Sequence, residues 1–203
     1  NSNVTTAAWS DPFAGNIGAN LTIGGPGQTV DILQSITIVG NAVLTVPANT
    51  TLRFAPGTGL TVQQGALHAD GTPLDPIFFT SANDQPGLTP AAGDWAGVAL
   101  GSGAGASVLR HVFIKYATGL TISNCAPTVE AFTALYNTAA GLNFLGPATL
   151  TTSDALLAFN DLGARQLNSA QLTLRNSVIK NNGTNAQAAG SLSLVATQSW
   201  WGS

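Results

Sequence analysis

The sequence predicts an all-β chain, a single-stranded right-handed parallel β-helix of about eight or nine rungs with about 22 residues in each. Three observations carry that expectation. Charge is scarce, with six Lys+Arg and nine Asp+Glu in 203 residues, against roughly fifty charged side chains in an average globular chain of this length. Their place is taken by 24 Thr, 23 Gly, 16 Asn and 10 Pro, while hydrophobic content stays at 44%. Short β-branched and aromatic segments follow one another, bounded by Gly, Pro, Asn or Asp. In the second half these segments repeat at a fixed spacing, the sign of a solenoid. One domain is expected over 1–203, with 1–20 an irregular N-terminal segment or cap and 21–203 forming the rungs.

Residues 1–20 show little periodicity, and Trp9–Phe13 reads as a turn. Strands are expected at Leu21–Ile23, Ile36–Val39, Val43–Val46, Thr51–Phe54, Leu60–Val62 and Pro76–Thr80. Helical periodicity is confined to Thr128–Tyr136 (TVEAFTALY), which taken alone has the spacing of a short amphipathic helix. The repeat overrides that reading. Gly97, Gly119, Gly141 and Gly163 head similar segments at intervals of 22 residues. An aromatic residue or Lys followed by Asn recurs in Tyr136-Asn137, Phe159-Asn160 and Lys180-Asn181, with Tyr116 one step earlier. A third set comprises Val112–Ile114, Ala131–Thr133, Leu156–Leu157 and Val178–Ile179. Residues 128–136 are therefore expected to form a strand, a corner and a strand.

A coil of about 22 residues made of three short strands and three turns closes one rung, and rungs stack about 4.8 Å apart. Inward positions then form Val/Leu/Ile/Phe ladders, and Asn at a turn can hydrogen-bond to its copies above and below. Gly suits corners that need positive φ. Stacking also explains the missing charge. A charge at a repeated position faces its own sign about 5 Å away, whereas Thr and Asn carry no such penalty.

Composition excludes several functions. Hydrophobic content is too high and net charge, −3, too small for ordinary disorder. An acidic balance gives no electrostatic footprint for nucleic acid, and no apolar run approaches the length of a membrane-spanning helix. The single cysteine, Cys125, rules out an internal disulfide framework and reads as a small buried residue. A start at Asn1 suggests a processed or excised chain, and few Lys and Cys with many Thr and Asn suit a secreted or cell-surface protein. Asn3, Asn20, Asn49 and Asn182 head Asn-X-Thr sequons, candidate glycosylation sites.

The stretch LTVPANTTLRFAPGTGLTVQQGALHADGTPLDPIFFTS, the segment Gly93-Asp-Trp-Ala-Gly-Val98 and the terminal Trp200-Trp-Gly202 together resemble secreted bacterial and archaeal right-handed parallel β-helix proteins of the pectate-lyase-like fold. The resemblance implies the architecture and a corner-capping role for Asp94. It is far less specific for activity, since such proteins include enzymes, adhesin stalks and structural surface proteins.

The residues point away from catalysis. Hydrolysis of a glycoside needs two carboxylates facing one groove. Asp70, Asp75, Asp84 and Asp94 cluster in sequence but read as turn formers through their side chains, and Asp154 and Asp161 are expected on different sides of a strand. Arg110, His111 and Lys115 form the basic cluster, read as the outward polar edge of one strand without the acidic companions of a lyase. His68 and His111 stand too far apart for a metal site, and Gly101–Gly105 reads as a corner loop rather than a phosphate cradle. No catalytic, cofactor-binding or metal site and no cofactor is expected. Trp200 and Trp201 are candidate core-closing or assembly residues.

The expected function is a non-catalytic extracellular structural protein, building a surface layer, sheath or filament, or an adhesin stalk. Its partners would be copies of itself, end to end or lateral, and surface glycans, with no nucleic acid and no membrane insertion. A polysaccharide-binding or polysaccharide-cleaving β-helix is the alternative. An ice- or mineral-binding module would want regular outward Thr ladders, which the sequence does not display.

Overall fold

The computed structural model describes residues 15–189 and 195–202. They form a parallel β-solenoid of about 8 turns without helix. The first turn holds β1 (Gly15–Ile17), β2 (Leu21–Thr22) and β3 (Thr29–Ile32), and the second β4 (Ile36–Ile38), β5 (Ala42–Val46) and β6 (Thr51–Phe54). In the third, one long strand, β7 (Gly59–Asp70), serves two faces before β8 (Ile77–Ser81). Next come β9 (Gly97–Gly103), β10 (Val108–Arg110) and β11 (Val112–Lys115). They are followed by β12 (Leu120–Ser123), β13 (Thr128–Glu130) and β14 (Thr133–Leu135). A sixth turn holds β15 (Ala140–Leu145), β16 (Thr149–Ser153) and β17 (Leu156–Ala158). The last two hold β18 (Leu162–Leu167), β19 (Gln171–Arg175) and β20 (Val178–Lys180), then β21 (Thr184–Ala188), β22 (Val195–Thr197) and β23 (Trp200–Trp201).

Corresponding strands stack into three faces, all paired in parallel. The first face contains β9, β12 and β15, the second β10, β13 and β16, and the third β11, β14 and β17. The first two are joined through β7, which bends at Gly65 with φ 128°. A Cβ there would collide with the Ala42 carbonyl, so only glycine fits. The 22-residue register is the observed one: Leu120 pairs with Val98 and Leu142, and Leu142 with Ala164, one residue beyond each of the four glycines. TVEAFTALY is β13, a corner at Ala131 with φ 47°, and β14.

The core consists of inward columns. On the first face Ile38, Val62, Leu100, Ile122 and Phe144 lie in register and are buried. On the third, Leu52, Phe79, Ile114, Ala134, Leu157 and Ile179 do the same. Trp95 plugs the interior, fully buried, stacked on Phe54 with ring centroids 4.1 Å apart and its indole N–H donated to the Lys115 carbonyl at 2.8 Å. Burying such side chains contributes about 1.5–3 kcal/mol each.

Several expectations need correcting. The solenoid begins inside the segment read as irregular: β1 lies within 1–20 and pairs in parallel with Ile36–Ile38 of β4. β3, outside the expected strands, pairs in parallel with β6. Trp9–Phe13 and Asn3 lie outside the described residues. Arg110 to Lys115 is not one strand. His111 turns the chain with φ 48°, so Arg110 ends β10 on the second face and Lys115 ends β11 on the third. Outward Thr pairs in places, as Thr151 with Thr173 on the second face and Thr37 with Thr61 on the first.

Candidate functional site

All three corners of the later turns hold a residue in the left-handed region, and from the first face to the second it is Asn124, Gly146 and Asn168, with φ 58°, 89° and 56°. Where the second face meets the third, the column is His111, Ala131, Asp154, Asn176 and Gln198, with φ between 47° and 57°. Where the third face ends, it is Tyr116, Tyr136, Phe159 and Asn181, with φ 60°, 57°, 57° and 53°. Asn is tolerated in this conformation; bulky side chains are unusual there. Three consecutive aromatic residues nevertheless occupy it. Their rings stack, Tyr116 on Tyr136 with centroids 5.5 Å apart and 9° between planes, and Tyr136 on Phe159 at 5.2 Å and 15°. Each stacked pair contributes about 0.5–1.5 kcal/mol beyond its buried area, offsetting a left-handed cost of roughly 1–2 kcal/mol per residue. Tyr136 is 40% and Phe159 45% exposed, so the stack forms a rib on the surface.

Beneath the rib runs an Asn ladder. The Asn137 side-chain oxygen accepts from the Ala117 N–H at 2.9 Å, that of Asn160 from the Asn137 N–H at 3.1 Å, and that of Asn182 from the Asn160 N–H at 2.9 Å. Their amide nitrogens donate to the carbonyls of Ile114, Ala134 and Leu157. The ladder therefore continues through Asn182, not Asn181, and Asn181 rather than Lys180 takes the corner position of the aromatics. The Asn182 amide, half-buried, donates to the Leu157 carbonyl and the Asn185 side-chain oxygen. Asn20 and Asn49 are exposed.

The acidic residues have separate duties. Asp84 accepts from the Thr80 hydroxyl and the Lys115 ammonium, both at 2.6 Å. Partial burial pushes its carboxyl up, but the bonds from Lys115 and Thr80 and the Lys115 charge outweigh that and hold it below the ordinary value. Asp94 accepts from the Ser81 hydroxyl at 2.6 Å and from the Asn83 side-chain amide and the Ala91 N–H, each at 3.1 Å. Burial again raises it, and those three donors lower it further than burial raises it. The two carboxylates clip the loop 82–94 to β8 and β11. Asp94 is thus the corner cap that the Gly93-Asp-Trp segment implied. Asp70 reaches Arg110 at 3.2 Å, and Arg110 reaches Glu130 at 2.8 Å, a column of alternating sign. Asp31 stacks on Arg53 at 2.8 Å. Charges thus occur at repeated positions where the neighbouring rung carries the opposite sign. The turn at Asp75 is closed by the Thr72 hydroxyl, which accepts the Asp75 N–H at 3.0 Å, rather than by an Asp side chain.

Beside the rib, Thr138, Asp161, Arg165, Thr184 and Gln187 line an open groove of about 340 Å³. Arg165 donates its Nε to the Asn143 side-chain oxygen at 2.8 Å. Asp154 stands at the second-to-third corner and Asp161 in this groove, so they do not converge. His68 lies on β7, with its Nε2 3.3 Å from the Ala106 carbonyl oxygen, away from His111 at its corner. Cys125 is buried, and burial raises its thiol. Trp201 follows Ile179 on the inward column of the third face and is 41% exposed. Trp200 follows Val178 on the outward column, 56% exposed, with the Lys180 ammonium 5.9 Å from its ring. Sequence reasoning missed the aromatic rib, for which the signal was Tyr116, Tyr136 and Phe159 themselves, recorded as a repeat but not as a surface. No protein-family model, curated protein or solved structure matches the chain.

Proposed function

We propose that this chain is a non-catalytic extracellular structural protein: a stiff β-helical rod of a surface layer, sheath or filament, or the stalk of an adhesin, of the pectate-lyase-like type. The observation that carries the reading is the continuity of the three faces from the first described turn to the last, with parallel pairing at each step. A rod of this kind transmits force through hydrogen-bond ladders and a dry core. Asp31, Asp70, Asp84, Asp94 and Glu130 hold the scaffold together, which also supports a structural role. Among the described residues β21, β22 and β23 have no strand on their outer side, so a further turn, from the same chain or a second copy, can add there. Size-exclusion chromatography with negative-stain imaging tests the assembly. Filaments or sheets are expected; monomeric particles at every concentration would remove the self-assembling role.

A second reading, polysaccharide binding, is favoured by the aromatic rib beside the groove that holds Asp161 and Arg165. Titration with soluble polysaccharides distinguishes it, since a saturable complex that leaves the protein monomeric supports binding rather than building.

A further inference from the structure

The solenoid is charged unequally from end to end. Residues 15–96, the first three turns and the loop that follows them, carry one cation, Arg53, against five carboxylates, Asp31, Asp70, Asp75, Asp84 and Asp94. Residues 97–202 carry five cations against three carboxylates, and from Leu162 onward only cations remain: Arg165, Arg175 and Lys180. None of those three lies within bridging distance of a carboxylate among the described residues. The strand edges at the two ends are open in complementary senses. Among the described residues β1, β2 and β3 pair only with the turn that follows, and β21, β22 and β23 only with the turn before. The Trp200 and Gly202 N–H groups donate back to the Ser177 and Ile179 carbonyls. Alternate residues of a parallel strand bond to opposite neighbours, so the Trp201 backbone faces the open side. The apolar columns end half-covered, at Ile17 and Val30 in the first turn and at Ala188, Ala196 and the exposed Trp201 in the last.

We infer that the last turn of one copy stacks on the first turn of the next, in register, so that the three faces run unbroken from copy to copy. The inference rests on the structural role proposed above and deepens it by naming the surfaces that meet and the charges that orient them. Continuing each column by one rung sets β21 on β1, β22 on β2 and β23 on β3 of the next copy. Ala188 then meets Ile17 and Trp201 meets Val30, which closes the core across the junction. The outward column beside Trp201 runs Lys180, Gly202 and then Asp31 of the next copy. Gly202 contributes no side chain there; the Trp200 indole lies over it where a Cβ would stand, and the Lys180 ammonium is 5.9 Å from that ring. Lys180 and Asp31 are thus two rungs, about 10 Å, apart along the backbone, a span that a lysine and an aspartate side chain bridge beside the indole. Asp31 keeps 50% of its side chain exposed even with Arg53 bonded to it. Opposite charges favour this junction, whereas basic end on basic end, or acidic on acidic, is repulsive. A contact between two different surfaces does not close on itself in a stack, so it generates an open filament.

Charge exchange tests the inference, with filament formation by the 203-residue chain read by pelleting and negative-stain imaging. Lys180→Glu, which leaves the Asp31–Arg53 pair in place, is expected to raise the concentration needed for assembly at least about tenfold, and Asp31→Lys to do the same, each with cooperative melting retained. An equimolar mixture of the two variants restores assembly to within about threefold of the wild type, because each copy then offers its neighbour the opposite charge at both junctions. Added salt weakens assembly of the wild type and strengthens that of the single variants. Glu130→Gln, in mid-rod, leaves assembly unchanged. Filaments indifferent to either exchange, or closed pairs in place of filaments, overturn the inference and leave the structural role standing. A mixture that fails as its two components do overturns it as well, since a charge pair across the junction requires rescue. A wild type that stays monomeric at high micromolar concentration overturns both this contact and the self-assembling role.

Discussion

The two left-handed corner columns that bound the third face share a backbone and differ in side chains. At both, the chain turns through a residue with φ near 50–60°, and in the later turns the residue that follows is polar and bonds to the neighbouring rung. Under the second-to-third corner the following residue is apolar in three turns, Val112, Phe132 and Ala155, and Ser in the last two: the Ser177 hydroxyl accepts the Ala155 N–H, and Ser199 accepts that of Ser177, both at 3.2 Å. Under the third-face exit it is Asn, which accepts from one rung and donates to the strand below. Above Ser177 and Ser199 stand Asn176 and Gln198; above Asn137 and Asn160 stand the Tyr136 and Phe159 rings, with Tyr116 above Ala117 and Asn181 above Asn182. Backbone geometry alone therefore sets a default that the aromatic corner departs from. There the stacking of Tyr116, Tyr136 and Phe159 offsets the left-handed cost.

The largest effect expected from breaking this comparison is at the Asn ladder. Asn160→Ala leaves the Asn137 N–H and the Ala134 carbonyl without their side-chain partner in a buried setting, and should lower stability by about 2–4 kcal/mol. Ser177→Ala, under the other corner, removes the single acceptor of the Ala155 N–H and should cost about 1–2 kcal/mol. Denaturant unfolding of both variants checks the order; equal costs would mean the two ladders are equivalent.

Next comes the left-handed residue itself. Ala131 at φ 47° has neither stacking nor a side-chain hydrogen bond to compensate it. Ala131→Gly should stabilise by roughly 0.5–1.5 kcal/mol. Tyr136→Gly relieves the same strain but loses two stacked neighbours, so its thermal midpoint should fall or stay level.

These corners also show what was legible. The repeat of Gly97, Gly119, Gly141 and Gly163 revealed the register because each occupies the same position on the first face, where the strands are regular. Phe144, Leu157 and Ile179 were readable as core by alternation. The corner column was not, because turn lengths vary between rungs: Tyr116, Tyr136, Phe159 and Asn181 are unevenly spaced. A one-residue slip there put Lys180 in place of Asn181 and Asn181 in place of Asn182. The ion pairs were invisible for a related reason. Asp70 and Arg110 meet only because an entire turn with the loop 82–94 closes between them.

A third effect separates the aromatic corner from the other by pH. The clip formed by Asp84 and Asp94 lies beside Tyr116, and both carboxyls sit below the ordinary 3.8 in the folded state. Groups lowered on folding contribute stability that is complete above the unfolded value and is lost as pH falls through the folded one. Acid unfolding followed from neutral pH should therefore steepen below 3.8, and Asp94→Asn should flatten it. A profile unchanged by Asp94→Asn would show that the clip is not coupled to folding.

The smallest effect belongs to the second face. Glu130→Gln weakens an exposed contact to Arg110 and should shift stability by less than about 1 kcal/mol, vanishing in high salt.

The claim beneath all of these is that the corners are rungs of a stacked ladder rather than loops. Hydrogen–deuterium exchange of the amides of Ala117, Asn137 and Asn160 tests it most directly. Protection close to that of the adjoining strand amides, lost at Asn137 in Asn160→Ala, is the predicted result; exchange as fast as that of exposed loops would contradict it.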